Sequence, residues 1–549
     1  MKHSFMAFLC LIFSMLIPGI SMGQNENQQY DAVSKNAYPK DGPGTVIYLS
    51  KGTQLIYSKT YGKANIELDV AMKAEQVFRL GSLTKQFTAC AILKLAEQGK
   101  LSLSDDIRKY LPDFPKKEQL ITIEALLTHT SGIINYTGLP SFSAVLKRQD
   151  LTPHQLMDLF KDEPLEFEPG SAYKYSNSGY ILLGVILEKI TGMSYGAYIE
   201  DTIFKPLGMT NSYDDHPTLL IKGRASGYEE RNGRYQNAAY LSMTLPYAAG
   251  SLASTAGDLQ KWYAALNDGK FIKPEFLRKA QTSYRLSNGM LTGYGYGWET
   301  GNVQGVSSVK HIGVINGFYT YAAYLPEKNL SISILRNCDN PTDPDILASK
   351  MLAIALGKPY DYKTLRMTIP ELEAYQGVYR LTNAGEYRIN LQDGQLMYYF
   401  LGGSKTRLIP YKKDHFILEN SLTSFIFDKG QSGQVQGFST SGTGLSHTGT
   451  LQHHKLQTRK KISVPAKLMQ SYVGKYQFKP GQLFEIIMEH DILYGQVGND
   501  RKELVPFGKH QFFARNLDAT ILFTVDAKGK VISLSKIQNS EMTAKKISM

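Results

Sequence analysis

The last third of the chain repeats itself. Tyr375-Gln-Gly377-Val-Tyr379 recurs as Tyr472-Val-Gly474-Lys-Tyr476, and Leu408-Ile-Pro410 as Leu504-Val-Pro506. Phe427-Asp428-Lys-Gly430 is echoed by Val525-Asp526-Ala-Lys-Gly529. Three landmarks at a nearly constant offset mean two copies of one module. Each copy is made of short alternating segments parted by Gly and Asp turns. That leaves room for several antiparallel strands, hence a small barrel or sandwich. The copies occupy residues 359–460 and 461–549, and a Gly/Ser/Thr-rich stretch, Ser439 to Thr450, lies near the end of the first.

Before Gly357-Lys358-Pro359 the pattern is different. Thr45–Ser50, Gln54–Ser58 and Lys59–Gly62 are β-prone pieces separated by Gly-containing turns. Ser82 to Gln98 carries apolar residues at Phe87, Cys90, Ala91, Leu93 and Leu95 and stops at Gly99, which predicts a helix. Helical and loop segments run on to about Leu266. Strands return at Tyr319–Leu325 and Leu330–Leu335, with a helix at about Asp345–Leu356. That order predicts an α+β domain over 42–358, its antiparallel sheet assembled from both ends of the segment around a helical region. A chain of 549 residues needs more than one core in any case.

The N-terminus reads as an export signal over residues 1–23. Met1-Lys2-His3 is basic, Phe5 to Ile17 is apolar, and Ser21-Met22-Gly23 is a small-x-small cleavage site before Gln24. The apolar run is short for a membrane span and no later stretch is long enough, so no transmembrane anchor is expected. The protein is expected in the periplasm or outside the cell. Residues 24–41 are polar and read as a disordered lead-in. Cys90 and Cys338 are too few for a disulfide framework, and Cys90 falls on the apolar helix face as a buried thiol. The formal charge of +12 is scattered, which indicates a solvated basic surface and no nucleic-acid module. Lys455, Arg459, Lys460 and Lys461 form its one cluster and read as a linker. His453-His454 reads as a solvated pair, no group of residues has metal-ligand spacing, and no Gly-rich phosphate loop occurs, so no cofactor is expected.

Ser82 and Lys85 stand three apart at the start of a helix, which puts both side chains on one face. A serine becomes a useful nucleophile when a neighbour takes its proton, and a lysine in a partly dry site can do so. The helix N-terminus adds backbone N–H groups where an oxyanion can settle. S-x-x-K alone is a weak signal. Ser171/Lys174, Ser307/Lys310 and Ser533/Lys536 have the same form, and only Ser82 follows a glycine and opens a long apolar helix.

Phe78-Arg-Leu-Gly-Ser-Leu-Thr-Lys85-Gln-Phe-Thr-Ala resembles the nucleophile segment of the penicillin-recognising, serine β-lactamase-like family. That family holds class C β-lactamases, esterases, D-aminopeptidases and DD-peptidases. Leu126-Leu-Thr-His-Thr-Ser-Gly-Ile133, Pro169-Gly-Ser-Ala-Tyr-Lys-Tyr175-Ser-Asn177, Ala249-Gly-Ser-Leu-Ala-Ser-Thr-Ala-Gly-Asp258 and Tyr294-Gly-Tyr-Gly-Trp298 resemble further family segments in family order. His311-Ile-Gly313, with Gly317-Phe318, stands where the third motif belongs. The likeness runs from about Gly42 to Gly357 and does not reach the repeat.

The resemblance implies a β-lactamase/transpeptidase-like catalytic domain with Ser82, Lys85 and Tyr175 as catalytic residues. Asn177 would hold Lys85 and a substrate amide. Either Lys85 or Tyr175 serves as the acylation base; a phenol of pKa about 10 is a weak base unless a cation stands beside it. Tyr235-x-Asn237 has the same form without the flanks, and His129 reads as packing rather than chemistry. No Lys-Thr-Gly occurs; His311-x-Gly313 replaces it, as in many esterase and D-aminopeptidase relatives. His311 is therefore expected to line the site, with the N–H groups of Val314 and Ser82 forming an oxyanion hole. A neutral histidine offers a substrate carboxylate one hydrogen bond and no charge, although Arg224 or Lys222 can supply one. His447-Thr-Gly449 lies in the repeat and is discounted. The expected activity is hydrolysis of a small amide, ester or short peptide, D-amino-acid-containing or cell-wall-derived substrates included; the subclass stays open among peptidase, esterase and β-lactamase, with D-aminopeptidase- or esterase-like activity favoured over β-lactamase. D-aminopeptidases of this family carry two β-barrels after the catalytic domain, as this chain's two modules do. The competing reading is an envelope-binding protein that uses the same pocket without turnover.

Overall fold

In the computed structural model the described residues are 18–269, 271–339, 344–382, 385–442, 446–452, 461–479, 482–498, 500–538 and 540–548. The chain divides into two compact units, the first reaching Tyr360 and the second holding the repeat.

The first unit is built on a six-stranded antiparallel sheet. Its spatial order is Glu299–Val303, Val306–Ile315, Phe318–Leu325, Leu330–Arg336, Thr45–Lys51 and Gln54–Tyr61. The two ends of the segment meet where Thr45 pairs with Arg336 and Lys51 with Leu330. The Leu330–Arg336 strand is buried along its whole length, because helices cover both faces of the sheet. Side chains alternate between two cores as period-two geometry demands. Val46 and Leu335 join Phe87, Trp262 and the central helices, while Ile47, Leu49, Ile332 and Ile334 join the terminal helix Pro344–Ala355.

The expected disordered lead-in is corrected here. Pro18–Ser34 is a helix, and Tyr30 is fully buried against the sheet. Tyr30 packs on Tyr57 at 5.2 Å between ring centroids, Tyr57 Oη donates to Asp31 Oδ1 at 2.7 Å, and Lys59 pairs with Asp31 at 3.0 Å. Polar composition hid it: Tyr30 and Val33, one turn apart, pack into the core beside the sheet. Residues 1–17, with the apolar run, lie outside the described residues. No helix of the described residues is long and apolar enough to cross a membrane.

In the second unit each copy of the repeat is a closed antiparallel barrel of eight strands, Gly377–Leu451 and Gly474–Ser548. A short helix precedes each, Ile369–Glu373 and Ala466–Tyr472. The landmarks make the same contacts twice. Tyr379 Oη donates to Tyr375 O at 2.7 Å and Tyr476 Oη to Tyr472 O at 2.6 Å. Leu365 N donates to Pro410 O at 2.8 Å and Ile462 N to Pro506 O at 3.0 Å. Each proline also sits at a shift in strand register. Proline has no N–H to give the ladder, so a bulge is where a strand accepts it.

Candidate active site

Ser82 lies in a 3-10 turn, Gly81–Leu83, and the α-helix proper runs Thr84–Glu97. The helix therefore starts two residues later than the periodicity predicts. Gly81 (φ +53°) turns the chain out of the Phe78–Arg79 strand into this turn, a conformation that suits glycine. A Cβ there would stand 3.0 Å from Val314 N and 3.1 Å from Val314 O. The backbones of Gly81 and the Val306–Ile315 strand thus run almost in contact, which sets the amides of Ser82 and Val314 at one place. Every residue from Thr84 to Leu93 is buried, so the helix is the centre of the unit and not a surface amphipath. Gln86 fixes its angle. Gln86 Oε1 accepts from Trp262 Nε1 at 3.2 Å, Trp298 Nε1 at 3.1 Å and Tyr263 Oη at 2.9 Å, which uses both tryptophans of the chain.

Lys85 is fully buried among three oxygens. Its Nζ lies 3.0 Å from Ser82 Oγ and donates to Asn177 Oδ1 at 2.8 Å and Ala249 O at 2.9 Å. Among the described residues no carboxylate pairs with it, and burial holds its pKa well below the usual lysine range. Tyr175 Oη donates to Ser82 Oγ at 2.8 Å. Burial raises the Tyr175 pKa, with the Ser82 hydrogen bond opposing, so its proton is firmly held. Asn177 begins the helix Asn177–Thr191, which ends at Gly192 in the left-handed conformation. The structure thus brings Ser82, Lys85, Tyr175 and Asn177 into one hydrogen-bonded cluster.

Behind Tyr175 stands an aromatic wall. His129 lies 4.3 Å from Tyr175 and 4.7 Å from Tyr294 between ring centroids, and Lys85 Nζ sits 4.8 Å from the Tyr175 ring and 5.4 Å from that of Tyr180. His129 Nδ1 accepts from Ser176 N at 3.2 Å, at the residue between Tyr175 and Asn177. Its pKa is lowered by burial first and then by the charges of Lys85 and His311. His311 is buried in the same wall. Its Nδ1 lies 2.7 Å from Ile312 O, and its Nε2 lies 2.9 Å from Tyr294 Oη. A carbonyl accepts only, so Nδ1 carries the proton and Nε2 accepts from the tyrosine. Burial, and then Lys85, push its pKa down to about 3. Both ring nitrogens are committed inside the protein, which leaves no donor for a substrate carboxylate. Arg224 is committed as well, to Asp215 at 2.7 Å, which Arg79 also holds at 2.7 Å.

A cleft of about 240 Å³ opens on Ser82, lined by Asn177, Val314, Tyr136, Phe142, Leu245 and Asn316 among others. Val314 is 54% exposed there while Gly313 is buried against Leu80. His311 meets the site through Tyr175 and Tyr294, from behind the cleft.

The other Ser-x-x-Lys pairs are occupied elsewhere. Lys174 is paired with Glu166, and Lys310 with Asp345 at 2.8 Å. Ser533 and Lys536 lie on one barrel strand, where a spacing of three faces opposite sides. Arg234–Asn237, which holds Tyr235-x-Asn237, is an exposed strand. Reasoning from sequence missed Ala249 O, Gln86, Tyr294 and the cleft-lining Tyr136 and Phe142. The segments holding Ala249 and Tyr294 had been singled out, without a role for either residue.

An α+β unit with a serine and a buried lysine one turn apart at the foot of its central helix is the architecture of the penicillin-recognising serine hydrolases. The chain belongs to the β-lactamase family: the family model described as Beta-lactamase matches residues 33–356. A second model, Domain of unknown function (DUF3471), matches residues 458–548. Penicillin-binding protein 4* of Bacillus subtilis (strain 168) is 28% identical over 439 residues, which cover 75% of this chain and 95% of that protein. A D-stereospecific amidohydrolase from Streptomyces sp. superposes with a TM-score of 0.53 at 27% identity over 60% of this chain and 99% of its own. A penicillin-binding protein homologue from Pyrococcus abyssi shares the fold over 96% of this chain and 100% of its own, with a TM-score of 0.52 at 22% identity.

Proposed function

We propose that this protein is an exported hydrolase that cleaves an amide or ester through an acyl-enzyme on Ser82, closer in preference to D-amino-acid amidases and esterases than to β-lactamases. The observation that carries it is the environment of Lys85 Nζ: buried, with two carbonyl oxygens and the Ser82 hydroxyl as its neighbours. A neutral amine has two N–H bonds and one lone pair. Asn177 Oδ1 and Ala249 O can only accept, so they take the two N–H bonds and the lone pair faces the Ser82 hydroxyl. Lys85 is therefore the acylation base, since Tyr175 keeps its own proton.

On attack the Ser82 proton passes to Lys85 and Ser82 Oγ bonds to the substrate carbonyl carbon. The oxygen of the tetrahedral intermediate takes hydrogen bonds from Ser82 N and Val314 N. Tyr175, protonated in the resting site and hydrogen-bonded to Ser82 Oγ, then gives its proton to the leaving nitrogen or oxygen and takes the one held by Lys85 in exchange, which returns both groups to their starting state. Water repeats the sequence in reverse to free the acid. With no fixed charge at His311, a carboxylate adjoining the scissile bond lacks a charge-assisted partner worth about 1.5–3 kcal/mol, so penicillins should be poor substrates. The amidohydrolase likeness supports the amidase preference. The basic start, apolar run and Ser21-Met22-Gly23 site support export.

Purified protein is to be assayed against an aryl ester, a D-aminoacyl amide and a chromogenic cephalosporin. Ester or amide turnover that outpaces the cephalosporin supports the reading. Cephalosporin as the best substrate overturns the subclass, and no turnover of any overturns the activity. Mature protein beginning near Gln24 supports export; finding Met1 on the secreted form opposes it.

A further inference from the structure

A second cavity, of about 390 Å³, adjoins the catalytic cleft, and Asn316 lines both. Its character is different. Lys147 and Arg148, from the turn Leu146–Arg148, face it together with Arg231, Glu229 and Asp339. Lys147 Nζ lies 5.0 Å from the ring centroid of Phe142, and Phe142 lines the catalytic cleft. The Arg148 guanidinium lies 5.8 Å from the ring of Tyr240, another wall of the cavity. Aromatic faces thus hold Lys147 beside the catalytic cleft, on Phe142, and Arg148 beside the second cavity, on Tyr240.

The carboxylates present do not neutralise them. Glu229 Oε2 accepts from Arg231 Nε at 2.8 Å and Nη2 at 2.6 Å, while its Oε1 accepts from Ala239 N at 3.0 Å. Glu229 is therefore fully used by its own hairpin. Asp339 accepts from the backbone of Gly317, next to Asn316. Among the described residues neither Lys147 nor Arg148 has a carboxylate partner. Two cations without carboxylate partners, beside a cavity that shares Asn316 with the Ser82 cleft, make a place for an anion.

We propose that Lys147 and Arg148 form a specificity subsite for a substrate carboxylate several bonds from the scissile carbonyl. This rests on the hydrolase reading of Ser82. It also divides anionic substrates in two: a carboxylate beside the scissile bond finds no charged partner, His311 being buried behind the cleft, and a distal one reaches Lys147 and Arg148 past Asn316. Selectivity then depends on the length of the chain between carbonyl and carboxylate.

The test uses nitrophenyl esters of succinic, glutaric and adipic acid, each as free acid and as methyl ester, so that the neutral ester is the internal reference. For the length that fits, the free acid should show a kcat/KM about tenfold higher than the methyl ester, the effect of one charge-assisted contact. The difference should lie in KM and collapse between about 0.02 M and about 0.5 M salt. Lys147→Ala and Arg148→Ala should each lower the acid-to-ester ratio by about fivefold, and the double variant should bring it near unity. In parallel, calorimetry with adipate reads the subsite without turnover: binding to wild type, lost in the double variant. An acid-to-ester ratio unchanged in the double variant, or no adipate binding, overturns the subsite while ester turnover keeps the hydrolase. Adipate binding that depends on Lys147 and Arg148, with neither ester cleaved, supports the subsite and overturns the hydrolase.

Discussion

In each barrel a buried tyrosine hydroxyl closes on the carbonyl four residues before it, Tyr379 on Tyr375 at 2.7 Å and Tyr476 on Tyr472 at 2.6 Å. In the first unit a lysine side chain is buried with no counter-charge among the described residues, while buried polar atoms without a partner occur in both units, His129 Nε2 in the first and Asn390 Oδ1 and His447 Nδ1 in the first barrel. Left-handed backbone is mostly on short polar residues in both units, Asn36, Asp69, Asn232 and Asn329 among them in the first. Left-handed residues in the barrels are Asp393, Asp414, Asn420, His490, Asp491 and Asn516, mostly short polar side chains that tolerate the conformation. The first unit adds to these the bulky, buried His129 (φ +58°) and Tyr247 (φ +39°). Such choices cost stability; Lys85 touches Ser82 and His129 packs on Tyr175 behind it. The barrels obey local rules throughout their landmarks; the first unit departs from them at the buried Lys85 and at His129, beside the candidate site.

That contrast is broken most severely at Ser82. Ser82→Ala should lower turnover by about a thousandfold or more and abolish labelling by a serine-directed phosphonate, since only binding and oxyanion effects remain. Labelling at Ser171, Ser307 or Ser533 in wild type would contradict the assignment. Lys85→Met should cost about a hundredfold or more in the acylation rate, measured by burst kinetics.

Lys85→Met also sharpens the contrast through pH. The folded pKa of Lys85 is depressed, so between it and the unfolded value of about 10.4 the unfolded chain binds a proton that the folded chain does not. Wild-type stability must rise with pH through that window and level off above it. The stability of wild type relative to Lys85→Met should therefore increase from about pH 7 to about pH 10, read by urea denaturation at each pH. A flat difference would mean that Lys85 is charged in the folded protein.

Tyr175→Phe should slow acylation by about a hundredfold and leave the melting temperature close to wild type. Gly81→Ala should come next, at about tenfold in kcat, because the added Cβ meets Val314 N at 3.0 Å and disturbs the paired amides. The smallest effect belongs to the barrels. Tyr379→Phe and Tyr476→Phe should each cost about 1–2 kcal/mol by denaturant titration, because a buried carbonyl loses its partner. Similar losses for both would confirm that the copies use the bond alike.

Sequence alone determined the elements whose cause is local or repeated. The helix over Ser82 and Lys85 is legible because apolar spacing and Gly99 act within a few turns, and the barrels because each landmark occurs twice. Family-like segments named Tyr175, Asn177 and Val314. Other features depended on residues far apart in the chain. The Pro18–Ser34 helix is stable because Tyr30 meets Tyr57 and the terminal helix, none of which its polar composition discloses. His311 was expected in the cleft, yet its two nitrogens go to Ile312 and Tyr294, a choice made by the Tyr294–Trp298 loop that packs over it. The protonation of Lys85 was equally hidden. No residue near it in sequence removes its water; Asn177 and Ala249 do so from 92 and 164 positions away. Burial and charge are properties of the assembled neighbourhood, so the sequence could name Ser82, Lys85 and Tyr175 while the tertiary structure set the burial and hydrogen bonds that shift their pKa values.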